Sequence, residues 1–281
     1  MRLLVIGGSD AGISAGLRAR ELDPTADVTL LVADRHPNFS ICGIPYHVSG
    51  DVPDWRNLAH RTTATCTPPA CTCASNTGPS PSTPTRTPSP PPPRTAAPRC
   101  SATTGSSSAP VPSPPSRRSA ASTGSGPPTV STSCTQGRVA GANAVGGDAV
   151  FAGSLGTQAV KVFDRVVAGT GLRDDTARAA GYDPITVAVT VDDHKAYYPG
   201  ATPIQARITG DRSTGRLLGA QLLGHRGAEI AKRVDIYAIA ISYAASVADI
   251  TDLALSYTPP LGSPWDAVQA AALAWQREPG A

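Results

Sequence analysis

The residues best suited to chemistry are a glycine-rich turn and a single cysteine near the start of the chain. The turn is formed by Gly7, Gly8, Ser9, Asp10, Ala11 and Gly12. Glycines at such a turn let the backbone approach a pyrophosphate, whose charge is stabilised at a helix N-terminus. Ser9 stands where a middle glycine is usual. Further on, the Asp34 carboxylate can accept a hydrogen bond from a ribose hydroxyl.

The elements around this turn follow a nucleotide-binding order. The apolar run at residues 3–6 predicts a strand buried on both faces, and a helix is expected over residues 11–22. A second buried strand is expected over residues 28–32, ending near Asp34. Strand, glycine turn, helix and strand together predict dinucleotide binding. The alternative is a glycine turn that only packs.

Cys42 follows the second predicted strand closely and is flanked by Gly43 and Pro45. These neighbours suit a shaped loop or a helix start, where a thiolate is stabilised. The residue is therefore a candidate redox centre. The alternative is an apolar filler, because a single cysteine is often simply buried.

A block of unusual composition divides the chain. Residues 62–135 hold 17 of the 28 prolines and five of the six cysteines, and they are otherwise mostly serine, threonine and alanine. The block contains no leucine, isoleucine, aromatic or acidic residue. Such a segment cannot bury enough apolar surface to offset the entropy of ordering, so we expect it to be disordered.

Charge and composition exclude several classes of protein. The net charge of the chain is +3, and the five arginines of the block alone contribute more positive charge than that. The rest of the chain is therefore slightly acidic, and nucleic-acid binding is not expected. No apolar run is long enough to span a membrane. No signal peptide is visible, which favours the cytoplasm. Cys66, Cys71 and Cys73 lack a matching fourth ligand, so no metal site is expected.

The C-terminal part has the pattern of an α+β domain. A hairpin connection of turn-forming residues separates two of its apolar runs. The predicted elements are a helix over 136–144, a helix through Val162, Phe163 and Val167, strands at 187–191, 204–208 and 217–223, and helices at 228–245, 247–253 and 265–275.

Two stretches of the first part carry a family resemblance. The runs VIGGSDAGISAGLRARE and VADRHPNFSICGIPY resemble the FAD-dependent pyridine nucleotide-disulfide oxidoreductases. The branch resembled has one active-site cysteine: coenzyme A-disulfide reductases, NADH oxidases and NADH peroxidases. The resemblance implies that the glycine turn, Asp34 and the adjacent Arg35 bind FAD. It also implies that Cys42 cycles through a mixed disulfide or sulfenic acid.

The run SYTPPLGSPWDAV is similar to part of the C-terminal dimerisation domain of these enzymes. The resemblance implies a homodimer in which Tyr257 approaches the flavin site of the opposite subunit. The alternative is a tyrosine that packs in a turn. Ile41, Asn38 and Trp265 stand where the family has residues attributed to contacts with the coenzyme A group, so these positions argue against a coenzyme A substrate. The resemblance implies a small disulfide, a peroxide or oxygen as the acceptor.

These observations predict an α/β protein with a partial Rossmann-like FAD-binding unit. We expect part of that domain at residues 1–61, its last helix at 136–150 and the dimerisation domain at 151–281. The family's second glycine fingerprint for NAD(P)H, the electron donor, is not found. The expected function is an FAD-dependent oxidoreductase impaired by that loss. The alternative is a non-catalytic, dimer-forming remnant without flavin.

We expect the block at residues 62–135 to be an out-of-frame translation, since shifted GC-rich codons yield its residue types; a genuine linker is the alternative. Translating the coding DNA in its other two frames should then give oxidoreductase-like sequence across the block. The hypothesis fails if neither frame does.

Overall fold

A computed structural model describes residues 1–33, 36–59 and 129–280, and the backbone of residues 72–75. The strands are β1 (Arg2–Ile6), β2 (Asp27–Val32), β3 (Thr72–Ser75), β4 (Gln158–Val162), β5 (Arg165–Gly171), β6 (Pro184–Asp192), β7 (Pro203–Asp211) and β8 (Leu217–His225). The helices are α1 (Asp10–Leu22), α2 (Ile44–Val48), α3 (Val130–Ala144), α4 (Asp174–Ala179), α5 (Ile230–Ser242), α6 (Val247–Thr251) and α7 (Ala267–Gln276). None of these helices is both long and apolar enough to cross a membrane.

The first part is a β–α–β unit, as the sequence predicted. Strands β1, β2 and β3 form a parallel sheet in that order, and α1 connects β1 to β2. Helix α1 ends where the Asp23 N–H donates to the Ala19 carbonyl at 2.8 Å, just before Pro24, which cannot donate the next bond. A small core forms between helix and sheet. Its buried members are Ile13, Ala19, Ala26, Val28, Leu30 and Val32.

Helix α3 lies against α1 at a very short distance. A Cβ at Gly137 would overlap the Ala11 carbonyl, and a Cβ at Gly141 would overlap the Ala15 carbonyl. Only glycine allows the two backbones to come this close. Gly137 and Gly141 therefore lie on the packing face of this helix.

Two described segments correct the prediction of disorder in the block. Helix α3 begins at Val130, inside the block, because the Thr129 side chain accepts a hydrogen bond from the Thr132 N–H and caps the helix. Strand β3 also lies inside it and gains order by pairing with β2. At these residues the prediction is wrong. The other residues of the block lie outside the described residues, and for them it stays a prediction.

The face of the parallel sheet opposite α1 is open in the described part of the chain. Leu4 is 59% exposed and Ile6 is 78% exposed, and Leu31 of β2 lies on the same face. The expectation that β1 is buried on both faces is therefore wrong here. The apolar run predicted the strand correctly, yet no described element covers its outer side.

The second part is a five-stranded antiparallel sheet in the order β4-β5-β8-β7-β6. The predicted strands correspond to β6, β7 and β8. The predicted helix through Val162, Phe163 and Val167 is wrong: these residues form the β4–β5 hairpin. Phe163 has a φ of 53° and turns the chain, which a helix cannot accommodate.

Helices α5 and α7 cover one face of this sheet and close the main core. The Tyr237 ring is fully buried, and its hydroxyl donates to the Val268 carbonyl at 2.9 Å. The Trp275 indole donates to the Ile185 carbonyl at 3.0 Å and lies over Gly210, where a Cβ would come within 2.6 Å of the ring. Both buried polar groups are satisfied, so the core fixes α7 against β6 and β7.

The contact between α1 and α3 gives a stability prediction. A Gly141→Ala substitution in an open helix would stabilise it by about 1 kcal/mol. Here the added methyl group meets the Ala15 backbone, so we expect the free energy of unfolding to fall by about 1–3 kcal/mol in denaturant titration. Gln136→Ala, at an exposed position of α3, is the control and should change stability by less than about 0.5 kcal/mol. Equal stability of both variants would contradict the close approach.

Candidate functional site

The glycine turn leads from β1 into α1 in the conformation that its residues predicted. Gly7 has a φ of 111°, and its N–H donates to the Leu31 carbonyl at 2.9 Å. A Cβ at Gly12 would overlap the Gly7 carbonyl, and a Cβ at Gly8 would lie 2.9 Å from the Val32 methyl groups. Side chains at these positions would therefore displace the turn.

The N-terminus of α1 opens directly from this turn. Ser9 occupies the N-cap position, but its side chain makes no capping hydrogen bond. The first-turn amide groups therefore receive no cap from Ser9, and helix N-terminal amides of this kind can bind phosphate. Asp10 places a carboxylate in the same turn, beside the position an anion would take. Asp34 and Arg35 lie outside the described residues.

The segment that carries Cys42 (residues 36–59) follows β2 in the chain and returns to lie beside the glycine turn. We call it the cysteine segment. The Asn38 N–H donates to the Gly8 carbonyl at 2.7 Å, and Asn38 takes a φ of 60° to do so. Pro37 is buried, and its Cβ would lie 3.4 Å from a Cβ on Gly8. The glycine turn and the start of the cysteine segment are thus one continuous structure.

Cys42 is exposed on a short 3-10 turn (Ile41–Gly43) that runs into α2. Its Sγ lies 3.8 Å from the Ser40 Oγ, a weak hydrogen bond in which either atom can donate. The Ser40 N–H donates to the Leu58 carbonyl at 2.8 Å. Gly43 lies so close to Leu58 that a Cβ there would come within 2.5 Å of the leucine side chain. The thiol is accessible, and its backbone is fixed from behind by Leu58.

Tyr257 lies in the loop between α6 and α7 and is 45% exposed. Its neighbour in space is Tyr197, a residue to which the sequence assigned no role. Partial desolvation, together with the neighbouring Tyr197 hydroxyl, raises the pKa of Tyr257. The Tyr257 phenol is therefore neutral at neutral pH.

The loops that carry the two tyrosines share one anchor, Arg233 of α5. Its guanidinium is 8% exposed and donates to both Asp266 carboxylate oxygens, with a shortest distance of 2.8 Å. It also donates to the Asp193 carbonyl at 2.9 Å and to the Ala228 carbonyl. Asp266 ends the Tyr257 loop and Asp193 begins the Tyr197 loop. The sequence reasoning missed Arg233, and the polar pattern of α5 gave no signal for it.

The structure brings together some of the predicted site residues and separates others. Gly7, Gly8, Gly12 and Cys42 lie in one connected unit, whereas Tyr257 belongs to the C-terminal domain. Within the described residues no hydrogen bond, ion pair or ring contact joins Tyr257 to Cys42. The predicted role of Tyr257 in the opposite subunit is compatible with this separation but is not tested by it.

Comparison with known proteins identifies the C-terminal domain. Residues 157–267 match the family model described as the pyridine nucleotide-disulphide oxidoreductase, dimerisation domain. The matched range begins just before β4 and ends at the first residue of α7, so it covers the whole antiparallel sheet.

Curated relatives align with parts of the chain. The NAD(P)H sulfur oxidoreductase (CoA-dependent) of Pyrococcus furiosus is 35% identical over 139 residues, which is 50% of this chain and 31% of the relative. The coenzyme A disulfide reductase of Staphylococcus epidermidis is 33% identical over 118 residues, 42% of this chain and 26% of the relative. The alignments therefore span less than a third of each relative's length.

A solved structure shows the same fold over nearly the whole chain. The NAD-dependent persulfide reductase from A. fulgidus superposes with a TM-score of 0.75 at 18% identity, covering 98% of this chain and 83% of that one. At this identity the likeness concerns the fold alone.

The tyrosine pair gives a prediction that titration can check. We expect Tyr197→Phe to lower the pKa of Tyr257 towards its ordinary value, because the neighbouring hydroxyl that favours the neutral phenol is removed. Isotope-labelled tyrosine rings followed by NMR against pH report the midpoint, and a Tyr257→Phe variant assigns the signal. Tyr243→Phe, at a 77% exposed position, should leave the midpoint unchanged. An unshifted midpoint in Tyr197→Phe would show that the pair does not form.

Proposed function

Because residues 157–267 belong to the dimerisation domain of the pyridine nucleotide-disulfide oxidoreductases, we propose that the chain is a redox protein of this family that acts through Cys42. The proposed reaction passes electrons from NAD(P)H through FAD and Cys42 to a small disulfide, a peroxide or oxygen. The observation that carries the proposal is the exposed Cys42 thiol on a turn continuous with the glycine turn.

The glycine turn supports the proposal of FAD as the bound cofactor. Gly7 has open space where a side chain would be, and Gly12 and Gly8 keep the turn tight. Amides at the start of α1 would hold the pyrophosphate, and Asp34 and Arg35 would hold the adenosine end. Bound FAD would supply two electrons taken from NAD(P)H.

The chemistry proposed for the protein itself is thiol–disulfide exchange. The Cys42 thiolate attacks one sulfur of the acceptor, so that an S–S bond to Cys42 forms and the acceptor's own S–S bond breaks, releasing the first half of the acceptor as a thiolate that takes a proton from solvent. Two electrons and a proton then regenerate the Cys42 thiolate and release the second thiol. Ser40 is placed to donate a hydrogen bond to Sγ, and Leu58 keeps the backbone in place. A reduced thiol of this kind favours the cytoplasm.

We propose a homodimer formed through the C-terminal domain, as its family match favours. In that dimer, Tyr257 with Tyr197 would face the Cys42 site of the partner. The Tyr257 hydroxyl can donate a hydrogen bond to the departing thiolate. The anchor at Arg233 supports this role because it fixes both tyrosine loops to α5.

One observation favours the second candidate function, a dimer-forming protein without flavin. The outer face of the parallel sheet exposes Leu4 and Ile6, so the described nucleotide-binding unit has cover on one side only. A unit of this kind can be too unstable to retain FAD. The C-terminal domain, with its own closed core, would still form the dimer.

Purified protein tests the proposed function. After incubation with FAD and removal of free cofactor, we expect bound flavin absorbance and disulfide-dependent oxidation of NAD(P)H at a reduced rate, because the family's second glycine fingerprint for NAD(P)H is not found in the sequence. Cys42→Ser should retain flavin but reduce disulfide turnover on the order of a hundredfold or more, because the nucleophile is lost.

Cys134→Ser is the matched control, since Cys134 is the other free cysteine among the residues with described side chains and lies on α3. Its rate should equal that of the unmodified protein. A colourless dimer without turnover would contradict the redox proposal and support the second candidate.

A further inference from the structure

The segment that carries Cys42 has little hydrophobic anchorage of its own. Of residues 36–59, only Pro37 and Leu58 are buried in the described structure. Helix α2 has five residues, and Ile44 and Val48 are exposed on it, so it cannot be held by burial of an apolar face. The end of α2 that points away from Leu58 therefore depends on contacts from outside the segment.

That end is fixed by strand β4 of the C-terminal domain. The backbone N–H of Lys161 donates to the Tyr46 hydroxyl at 3.2 Å. Strand β4 is the outer strand of its sheet, so an N–H directed away from β5 has no strand partner. The Tyr46 hydroxyl supplies the missing acceptor, four residues after Cys42.

The Lys161 side chain makes two more contacts with the same segment. Its Nζ lies 2.9 Å from Asp51 Oδ2 and 5.9 Å from the centre of the Tyr46 ring. The hydrogen bond from Lys161, followed by that from Ser49, lowers the pKa of Asp51, so the carboxylate is ionised at neutral pH. Tyr46, Asp51 and Lys161 thus form a three-residue contact, which we name the interdomain clasp.

Local hydrogen bonds connect the clasp to the rest of the segment. The Val52 N–H donates to the Tyr46 carbonyl at 2.9 Å, and the His47 Nδ1 lies 2.7 Å from the Val52 carbonyl. These bonds make residues 46–52 one closed loop. A displacement of Tyr46 or Asp51 would therefore displace α2 as a whole. Because α2 continues directly from the turn of Cys42, such a displacement would also move Cys42.

We propose that Lys161 and Tyr46 are positioning residues for Cys42, through which the dimerisation domain sets the location of the thiol. The inference rests on the proposed redox role of Cys42. Neither residue needs to touch an acceptor or cofactor. Leu58 fixes one end of the segment and the interdomain clasp fixes the other, so Cys42 lies between an anchor in its own unit and an anchor in the second domain.

Hydrogen exchange followed by mass spectrometry tests the clasp on the full chain. Tyr46→Phe removes the hydroxyl acceptor, and Lys161→Met removes the ammonium group while keeping the length of the side chain. In both variants we expect exchange of peptides covering residues 44–52 to rise about fivefold, the size expected for a lost hydrogen bond or exposed ion pair. The rate of Cys42 labelling by iodoacetamide, resolved by peptide, should change at least about threefold.

Two further variants separate positioning from a general loss of structure. Lys161→Arg keeps the charge and the backbone donor and should restore both readouts. Arg165→Met breaks a comparable exposed pair in the same hairpin, Arg165 with Asp164 at 3.7 Å, and should change neither. Unchanged exchange and labelling in Tyr46→Phe and Lys161→Met would overturn the proposal, as would failure of Lys161→Arg to restore them.

These measurements need no flavin or turnover. Failure of the purified protein to bind FAD would contradict the proposed function, and the exchange comparison would still decide whether the clasp positions Cys42.

Discussion

The close approach of α1 and α3 is the constraint on which the rest of the molecule depends. Helix α3 begins near the end of the long block, yet Gly137 and Gly141 place it directly against the backbone of α1. This contact makes one unit of two segments that are far apart in the chain. The hydrogen bond from α3 to the C-terminal domain, Thr132 to Ser154 at 2.9 Å, then continues the connection. A methyl group at either glycine would separate the two backbones.

Sequence patterns predicted the elements whose conformation is determined by their own local residues. The apolar runs and the glycine turn gave β1, α1 and β2, and the turn-forming residues between β7 and β8 gave their hairpin. The same reasoning failed at β4 and β5, where Val162 and Val167 suit a helix face and a strand equally well. Pairing with β8 decides between them, and that pairing is a property of the folded sheet. Likewise, β3 forms as a strand because its backbone pairs with the free edge of β2.

The candidate site was predictable to the same degree. Cys42 and the glycine turn are short, local patterns, so the sequence contained them in full. The Tyr197–Tyr257 pair and its anchor at Arg233 join residues from two separate loops and a helix, and no spacing rule connects them. The Lys161 contact with Tyr46 crosses 115 positions of sequence and depends on which strand lies at the edge of the sheet. Such contacts depend on the tertiary structure and produce no periodic pattern in the sequence.

The open side of the parallel sheet affects how readily molecules of the protein associate with one another in solution. Within the described residues nothing covers Leu4, Ile6 and Leu31, so these side chains contact water there, and a net charge of only +3 provides little repulsion between molecules. The attraction between apolar surfaces weakens on cooling. We therefore expect concentrated samples to associate less in the cold than on warming.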